Sequence, residues 1–409
     1  MKIEIKDKID YMLYINYALV GYAFFLPFSK AGVNLFETMA LLLWLFSGHW
    51  KEQWNLYKKN IFLIAFLSFL LLSLISILWA DDTMFAIKYV LKYRHFLILF
   101  VIYWALQEEY IKHIFSAFLL GMFLSELVSY GIFFEIIHYK NILPSDPSPF
   151  MSHTDYSIYL SFASMILLTR IMREPLVYQR VIYMLFFLTV TTNLFVNGGR
   201  TGQVTFIILV VINFMHHYTN KLKAIIVAIG LLLVVFSLAY NYSPNFQQRL
   251  HNAKAGIEDV VYHDNYSSDG LNQRFALWRL GLDKLQDNFL LGTGIGADMK
   301  GIEGYTKQRG FAQEVFNSKT FGDHHNMFLT FSIQLGIIGF LNIVLIFYAL
   351  FRLQYRTYTY KILGITFLTA FSLWSFGGMT FHTMNPMIFF SLFAGLFNKI
   401  SYMENKAEA

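Results

Sequence analysis

Long runs of apolar residues dominate the sequence, and these runs leave few folds open to the chain. A run of about 20 apolar residues is long enough to cross the hydrocarbon core of a bilayer as an α-helix. Inside lipid, only helices and closed barrels satisfy every backbone hydrogen-bonding group. Charged residues make up only 14% of the 409 residues, whereas soluble domains carry about a quarter. The sequence therefore predicts an all-α polytopic membrane protein.

The apolar runs predict about 12 transmembrane helices, several of them short. We place them at residues 15–29, 33–46, 61–79, 86–106, 114–137, 156–171, 180–196, 203–215, 222–240, 327–351, 362–374 and 383–397. The only long polar segment, residues 242–326, lies between the ninth and tenth of these spans. We therefore expect one integral membrane domain over residues 1–409, with one large loop that contains short helices.

The placement of Lys and Arg residues predicts the orientation of the chain, because cytoplasmic loops are enriched in them. With a cytoplasmic N-terminus, most of the basic residues between spans fall inside: Lys51, Lys58, Lys59, Lys112, Arg170, Arg173, Arg180, Lys221, Lys223, Arg352, Arg356 and Lys361. The short outer connections carry little beyond Lys30, Lys140 and Arg200. This bias predicts cytoplasmic N- and C-termini, and in a Gram-negative bacterial cell the membrane would be the inner one. The large loop is then periplasmic.

Composition also excludes several classes of function. The chain has no cysteine, which rules out disulfide and thiol chemistry. Its formal charge of +6 is modest, so we attribute it to membrane orientation and expect no nucleic-acid partner. The sequence Gly292-Thr-Gly-Ile-Gly296 resembles a nucleotide-binding fingerprint only superficially, because it follows a predicted helix instead of a strand. We expect a turn there.

A basic group interrupts the fourth predicted span. Lys88, Lys92, Arg94 and His95 lie towards its outer end. Charges within the bilayer are costly and tend to mark substrate pathways. Two interpretations stay open: these side chains reach the outer headgroups, or Lys88, Lys92 and Arg94 are candidate contacts for an anionic lipid headgroup.

The segment Asn197-Gly-Gly-Arg-Thr-Gly202 lies where the seventh span reaches the outer surface. Glycines allow close approach of backbone to a ligand, and the guanidinium of Arg200 matches phosphate geometry. A tight turn with an ordinary interfacial arginine is the alternative.

A second arginine, Arg274, begins an amphipathic pattern in the large loop. Asp269 is the expected N-cap of this helix, and the helix is expected to lie on the membrane domain. Its apolar positions recur at helical spacing, at Leu271, Phe275, Trp278, Leu282 and Leu285. The alternative is a solvated charge on an amphipathic helix.

Two adjacent histidines, His324 and His325, lie at the outer mouth of the tenth span, between Asp323 and Asn326. A histidine there can accept a proton from a hydroxyl near neutral pH. A metal site is disfavoured because no partner has ligand spacing nearby. Asp323 or Asn326 is expected to cap the following helix.

Four features together resemble the O-antigen ligases. They are the long outer loop after the ninth span, the turn Gly199-Arg-Thr201, the helix start from Arg274 to Leu282, and the sequence His325-Asn-Met-Phe-Leu329 followed by Gly336-Ile-Ile-Gly339. The chain is similar to these ligases across its whole topology. More broadly, it resembles the superfamily that they share with O-antigen polymerases and some oligosaccharyltransferases.

The resemblance implies a glycosyltransferase of lipopolysaccharide biosynthesis. The donor would be a glycan on undecaprenyl diphosphate, and the acceptor would be a sugar hydroxyl on lipid A–core. Arg200 and Arg274 match the family's diphosphate-binding arginines, and His325 matches its catalytic base. No metal or cofactor is expected. Direct attack by the acceptor would invert the anomeric centre, and the motifs contain no carboxylate to serve as a covalent nucleophile.

Three alternatives remain at this stage. An O-antigen polymerase would use the same lipid-linked donor. A protein O-oligosaccharyltransferase is less favoured, because those enzymes tend to carry an added C-terminal region. A lipid-linked sugar transporter would be expected to place charges along the middle of several spans, whereas here the clearest charges gather at outer ends.

Overall fold

The computed structural model describes residues 10–242, 244–263, 270–312, 316–317 and 321–406. It is 78% helical, and the described residues contain no strand. The predicted all-α class is therefore confirmed. Asp269, the predicted N-cap, lies outside the described residues.

The described residues form seventeen α-helices. The first nine are α1 (Tyr11–Phe25), α2 (Lys30–Phe46), α3 (Trp50–Tyr57), α4 (Ile61–Ile75), α5 (Thr83–Leu91), α6 (Ile98–Ala105), α7 (Glu108–Phe133), α8 (His153–Arg173) and α9 (Val177–Val196). The others are α10 (Arg200–His217), α11 (Lys221–Tyr242), α12 (Pro244–His263), α13 (Leu271–Asp287), α14 (Ile302–Arg309), α15 (Met327–Phe351), α16 (Tyr358–Gly377) and α17 (Met384–Lys406). Two short 3₁₀ helices, Ser76–Trp79 and Lys92–Leu97, flank α5.

Several helices are built to contact lipid. Among the described residues, five helices are long and apolar enough to cross a membrane, or six if the sharply bent pair α2 and α3 forms one span. Large apolar side chains on their outer faces are exposed, such as Leu233 at 64% and Leu222 at 67%. Soluble proteins rarely expose contiguous apolar surface of this kind. The count of twelve spans and the outer position of the large loop stay predictions.

Helix α17 forms the centre of the bundle. Its residues are buried continuously from Asn385 to Ser401, as expected for a helix that is apolar on every side. Phe390 packs with ring centroids 4.7 Å from Phe371 and 4.9 Å from Phe381. Phenylalanine rings at such distances contribute both buried area and favourable edge contacts.

The fourth predicted span is not one continuous helix. Helix α5 passes into the 3₁₀ segment Lys92–Leu97 before α6 begins. At this break, Nδ1 of His95 lies 2.6 Å from Oε2 of Glu37 on α2, and both side chains are buried. Arg94 also donates to Asn34 Oδ1 at 3.1 Å. These polar contacts tie the broken span to α2.

Helix α15 is broken at Gly336, where φ is +66° and ψ is −163°. The loop that follows α13 pairs with the opened backbone. Thr293 N donates to Ile333 O at 2.8 Å, and Ile337 N donates to Phe289 O at 2.8 Å. The break thus anchors the loop on the membrane domain.

Helix α13 lies against α15 as predicted, but its most buried face is not the predicted stripe. The fully buried apolar positions are Ala276, Leu277 and Leu280, which form a small core with residues of the polar segment. Leu282 is 52% exposed. This second buried face, which was not predicted, is covered by residues of the polar segment such as Met299 and Ile302. The predicted stripe instead lines a cavity against α15 that is open in part, through Trp278, Leu282 and Leu285.

Candidate active site

The turn between α9 and α10 places Arg200 at the first position of α10. Close packing on α8 requires the neighbouring glycines. A Cβ on Gly199 would lie 2.2 Å from Ser157 Oγ, and one on Gly202 would lie 2.3 Å from the Ser157 carbonyl carbon. Gly202 N donates to Ser157 Oγ at 3.1 Å. The predicted tight turn is present, and it fixes Arg200 at a helix N-terminus, where backbone N–H groups favour anions.

Asp146, in the segment between α7 and α8, stabilises this turn. Gly198 N donates to one carboxylate oxygen of Asp146 at 2.9 Å. The other oxygen lies 3.1 Å from Nδ1 of His153, at the start of α8. Asn197 also donates through its side chain to Ser148. The segment before α8 is therefore part of the support for Arg200.

Arg200 and Arg274 line the same cavity, whose volume is about 400 Å³. A Cβ on Gly270, in the turn before α13, would lie 3.7 Å from Arg200 Nη1. A Cβ on Gly377 would lie 3.5 Å from Arg274 Nη1 and 3.4 Å from Thr201 Oγ1. Two segments far apart in sequence thus bring two guanidinium groups to one cavity.

The electrostatics of Arg274 reflect this convergence. Burial lowers the pKa of its guanidinium, and the nearby positive charge of Arg200 lowers it further. The Asp323 carboxylate opposes both effects. Two like charges held together in a partly buried cavity are favourable only when an anion compensates them. The arrangement is suited to a dianionic ligand group.

His325 lies in a constrained loop, immediately before the N-cap of α15. Its backbone has φ of +50°, which is uncommon for a residue other than glycine. The His325 N–H donates to Asp323 Oδ1 at 2.6 Å, and the same oxygen lies 3.4 Å from the ring Nδ1. Asp323 therefore favours the tautomer that carries its proton on Nδ1 and leaves Nε2 as a base.

Burial lowers the pKa of His325 below its usual value. Asp323 raises it in part, while the positive charge of Arg274 lowers it again. His325 is consequently held in the neutral form that can accept a proton, and Arg274 is close enough to act on its charge state. The side chain is 40% exposed, so a substrate can reach it.

His324 has a different environment from its neighbour. Its side chain is fully buried, and Nδ1 lies 3.3 Å from Oδ2 of Asp298. Gln334 Nε2 donates to the other oxygen of Asp298 at 2.7 Å. Through Asp298, His324 is connected to Gln334 of α15. Its contacts therefore stabilise the loop that carries the two histidines, which we call the histidine loop. Asn326 is the N-cap of α15, as predicted, and accepts from Leu329 N at 3.1 Å.

The fourth-span basic residues do not join the two arginines. Lys88, Lys92 and Arg94 all belong to the described residues. None of them lines the cavity that contains Arg200 and Arg274, which we call the arginine cavity. Lys92 Nζ instead lies 3.2 Å from Nε2 of His382. The His382 ring stacks on Tyr89 with centroids 3.9 Å apart. Gln334 connects this second polar cluster to the partner of His324, because its Nε2 donates to Tyr89 Oη at 3.3 Å and to Asp298.

Sequence reasoning missed several residues near the site: Asp146, His153, Asp298 and His382. One available signal was position, because His153 and His382 each lie next to a predicted span end on the same outer side.

The described residues contain no group of three or more His, Cys, Asp or Glu side chains that could hold a metal ion. The turn at Gly292–Gly296 is irregular, with positive φ at its three glycines, as predicted.

Comparison with protein families gives one match. Residues 185–344 match the family model described as O-antigen ligase. The matched segment contains Arg200, Arg274 and His325. The match covers about two fifths of the chain and supports the family predicted from the motifs. That family implies a glycosyl transfer of the ligase or polymerase type. A search of curated proteins found no match.

Proposed function

With the O-antigen ligase family as the premise, we propose that this chain transfers an O-antigen glycan from undecaprenyl diphosphate to a sugar hydroxyl of lipid A–core. The observation that supports this most is the convergence of Arg200 and Arg274 on one cavity, with His325 within electrostatic reach of Arg274. We further propose that the site faces the periplasm of the inner membrane.

The two arginines act on the leaving group. As the bond between the anomeric carbon and the diphosphate oxygen breaks, negative charge grows on the diphosphate. Fixed guanidiniums aimed at that charge stabilise the transition state more than the ground state. Because they supply two positive charges in fixed positions, this reaction does not depend on a metal ion.

His325 acts on the nucleophile. Its neutral Nε2 accepts the proton of the acceptor hydroxyl while the oxygen attacks the anomeric carbon. The new carbon–oxygen bond forms on the face opposite the departing diphosphate, so the reaction inverts the anomeric centre. The proton then leaves His325 for solvent or for the released undecaprenyl diphosphate.

The second candidate is an O-antigen polymerase, because the family match covers both activities. The donor chemistry and the roles of the three residues would be the same. Only the acceptor would differ, since a polymerase adds the glycan to another lipid-linked glycan.

The banding pattern of lipopolysaccharide from a deletion strain, with and without the restored gene, separates these functions. Loss of the whole ladder together with accumulation of lipid-linked polymer is the result expected for a ligase. Core that carries a single repeat unit would indicate the polymerase. An unchanged pattern would contradict both and would direct attention to glycoproteins and transport.

The same strain tests the arginines. Arg200→Ala and Arg274→Ala should each fail to restore the ladder, although each protein reaches the membrane. Arg279→Ala is the matched control, because Arg279 is an exposed arginine on α13, the helix that also carries Arg274. A ladder restored by both site variants would refute the proposed diphosphate site.

A further inference from the structure

A second basic cavity lies at the other end of α8. His153 and Thr154, at the start of α8, line the arginine cavity. Arg170 and Arg173, near its end, line a separate cavity of about 500 Å³. At 1.5 Å per residue, Arg170 lies about 25 Å along the helix from His153. The second cavity is therefore remote from the proposed site of transfer.

Three cations face this cavity: Lys112 from α7 together with Arg170 and Arg173. One carboxylate, Glu174, also lines it, and its Oε1 accepts from Leu176 N. Among the residues that the structure describes, these three cations form no ion pair with a carboxylate within 4.0 Å. The cavity thus has more positive than negative charge.

Aromatic rings hold both guanidiniums in place. The Arg173 guanidinium carbon lies 4.1 Å from the ring centroid of Tyr358, and that of Arg170 lies 5.5 Å from the centroid of Tyr183. Arg170 Nη2 also donates to Ser116 Oγ at 3.1 Å. Each guanidinium has five N–H donors, so these contacts still leave donors that suit phosphate oxygens.

The remaining lining has both polar and apolar parts. Thr357 and Thr359 add hydroxyl groups, while Phe115, Ile166 and Leu363 add an apolar wall. A cavity lined by both cations and apolar side chains suits an amphiphile. The cations can bind an anionic headgroup, and the apolar side chains can contact the first carbons of its chain. Clusters of basic residues at such positions are a recognised form of anionic-lipid binding site.

We infer that this cavity binds the phosphate group of an anionic phospholipid. Arg170 and Arg173 contact the phosphate oxygens, Lys112 adds charge, and the apolar wall contacts the glycerol backbone and upper acyl chain. This inference does not depend on the transfer reaction, because the two cavities lie at opposite ends of α8.

Binding can be measured by native mass spectrometry of the full chain in a non-ionic detergent. The probes are phosphatidylglycerol, phosphatidylcholine with the same acyl chains, and inorganic phosphate. We expect phosphatidylglycerol to bind about tenfold more tightly than phosphatidylcholine, since charge-assisted hydrogen bonds add affinity on this scale. Failure of millimolar phosphate to displace it identifies the lipid as the ligand. Displacement would identify free phosphate as sufficient and overturn the lipid assignment.

Arg173→Gln should remove the preference for phosphatidylglycerol, and Arg173→Lys should restore part of it. Arg173 is exposed, so this change is compatible with folding. Lys59→Gln is the control. Lys59 is an exposed cation next to Asn60, which donates to Asn398 near the end of α17. Glu404 of α17 accepts from Thr357 N, so Lys59 lies at the same end. Equal binding of the two lipids, or a preference unchanged in Arg173→Gln, would overturn the inference.

Discussion

Two adjacent histidines have opposite environments, and this difference separates a chemical role from a structural one. His325 is 40% exposed beside Asp323. The side chain of His324 is fully buried against Asp298. A general base needs access to the substrate, whereas a buried polar group needs its partner.

We therefore expect substitution of His325 to reduce activity and substitution of His324 to reduce stability. His325→Ala should lower transfer by about 10²- to 10⁴-fold, the usual contribution of a general base, with little change in melting temperature. His324→Ala should lower stability by roughly 1–3 kcal/mol, because it leaves Asp298 buried without this partner. Activity at low temperature and thermal unfolding in detergent measure the two effects. An active His325→Ala together with a folded but inactive His324→Ala would reverse the assignment of the base.

The pH dependence of transfer provides a separate test. His325 accepts a proton only when it is neutral, so kcat/KM should fall as pH drops through its lowered pKa. Asp323 raises that pKa by stabilising the protonated ring. Asp323→Asn should therefore move the acid limb of the profile to lower pH.

Asp283→Asn is the control for this shift. Asp283 is a carboxylate of α13 that pairs with Arg309 at 2.6 Å, and it is not among the groups that act on His325. The acid limb should stay in place in this variant. An acid limb that moves to higher pH in Asp323→Asn, or moves equally in both variants, would contradict the proposed coupling.

At the level of single residues, the sequence predicted Arg200, Arg274 and His325 from short motifs. It did not predict their supports. Asp146 reaches Gly198 across 52 residues, and Asp298 reaches His324 across 26. Contacts of this kind depend on how loops cross the bundle, and no local periodicity encodes them. The buried Glu37 and Glu126 were missed for the same reason: their partners His95 and Thr189 lie on other helices.

At the scale of elements, the break in α15 connects the polar segment to the membrane helices. Gly336 has positive φ, and a Cβ there would lie 2.1 Å from the carbonyl oxygen of Leu290. This combination of φ and ψ is open essentially to glycine alone and costs other residues about 1–3 kcal/mol. The glycine motif is visible in the sequence, but the long apolar run around it predicts an unbroken helix.

Gly336→Ala should therefore destabilise the protein by at least about 2 kcal/mol, from backbone strain and the clash with Leu290. Gly230→Ala in α11 is the matched control, because nothing lies within 4 Å of its Cβ position. That change should be neutral or stabilising by up to about 1 kcal/mol. Apparent melting temperatures in detergent measure both. Equal effects would show that the break contributes little.

Apolar length predicted most helices, with ends that differ by several residues. The fourth span differed most from its prediction. It contains a 3₁₀ segment instead of one continuous α-helix, and in that segment the buried His95 contacts Glu37 of α2. Hydropathy sums residues over a window, so it cannot register a local break that is stabilised by another helix. The second buried face of α13 was missed for a similar reason, because the loop that covers Leu277 and Leu280 lies elsewhere in the sequence.

At the scale of the whole molecule, α8 links two basic cavities with different surroundings. The cavity at its start is lined by Arg200 and Arg274, and Arg274 acts electrostatically on His325. The cavity at its end contains Arg170 and Arg173 beside an apolar wall. We propose glycosyl transfer in the first cavity and lipid binding in the second.

The central claim is transfer from a lipid diphosphate to lipid A–core, and reconstituted transfer tests it most directly. The purified full chain in liposomes would receive undecaprenyl-diphosphate-linked glycan with lipid A–core, and the glycan–core product would be measured on a gel. We expect product with the wild-type protein, no product with Arg274→Ala, and no loss of product on addition of a chelator. Elongation of the lipid-linked glycan with no product on lipid A–core would instead establish a polymerase and contradict the claim.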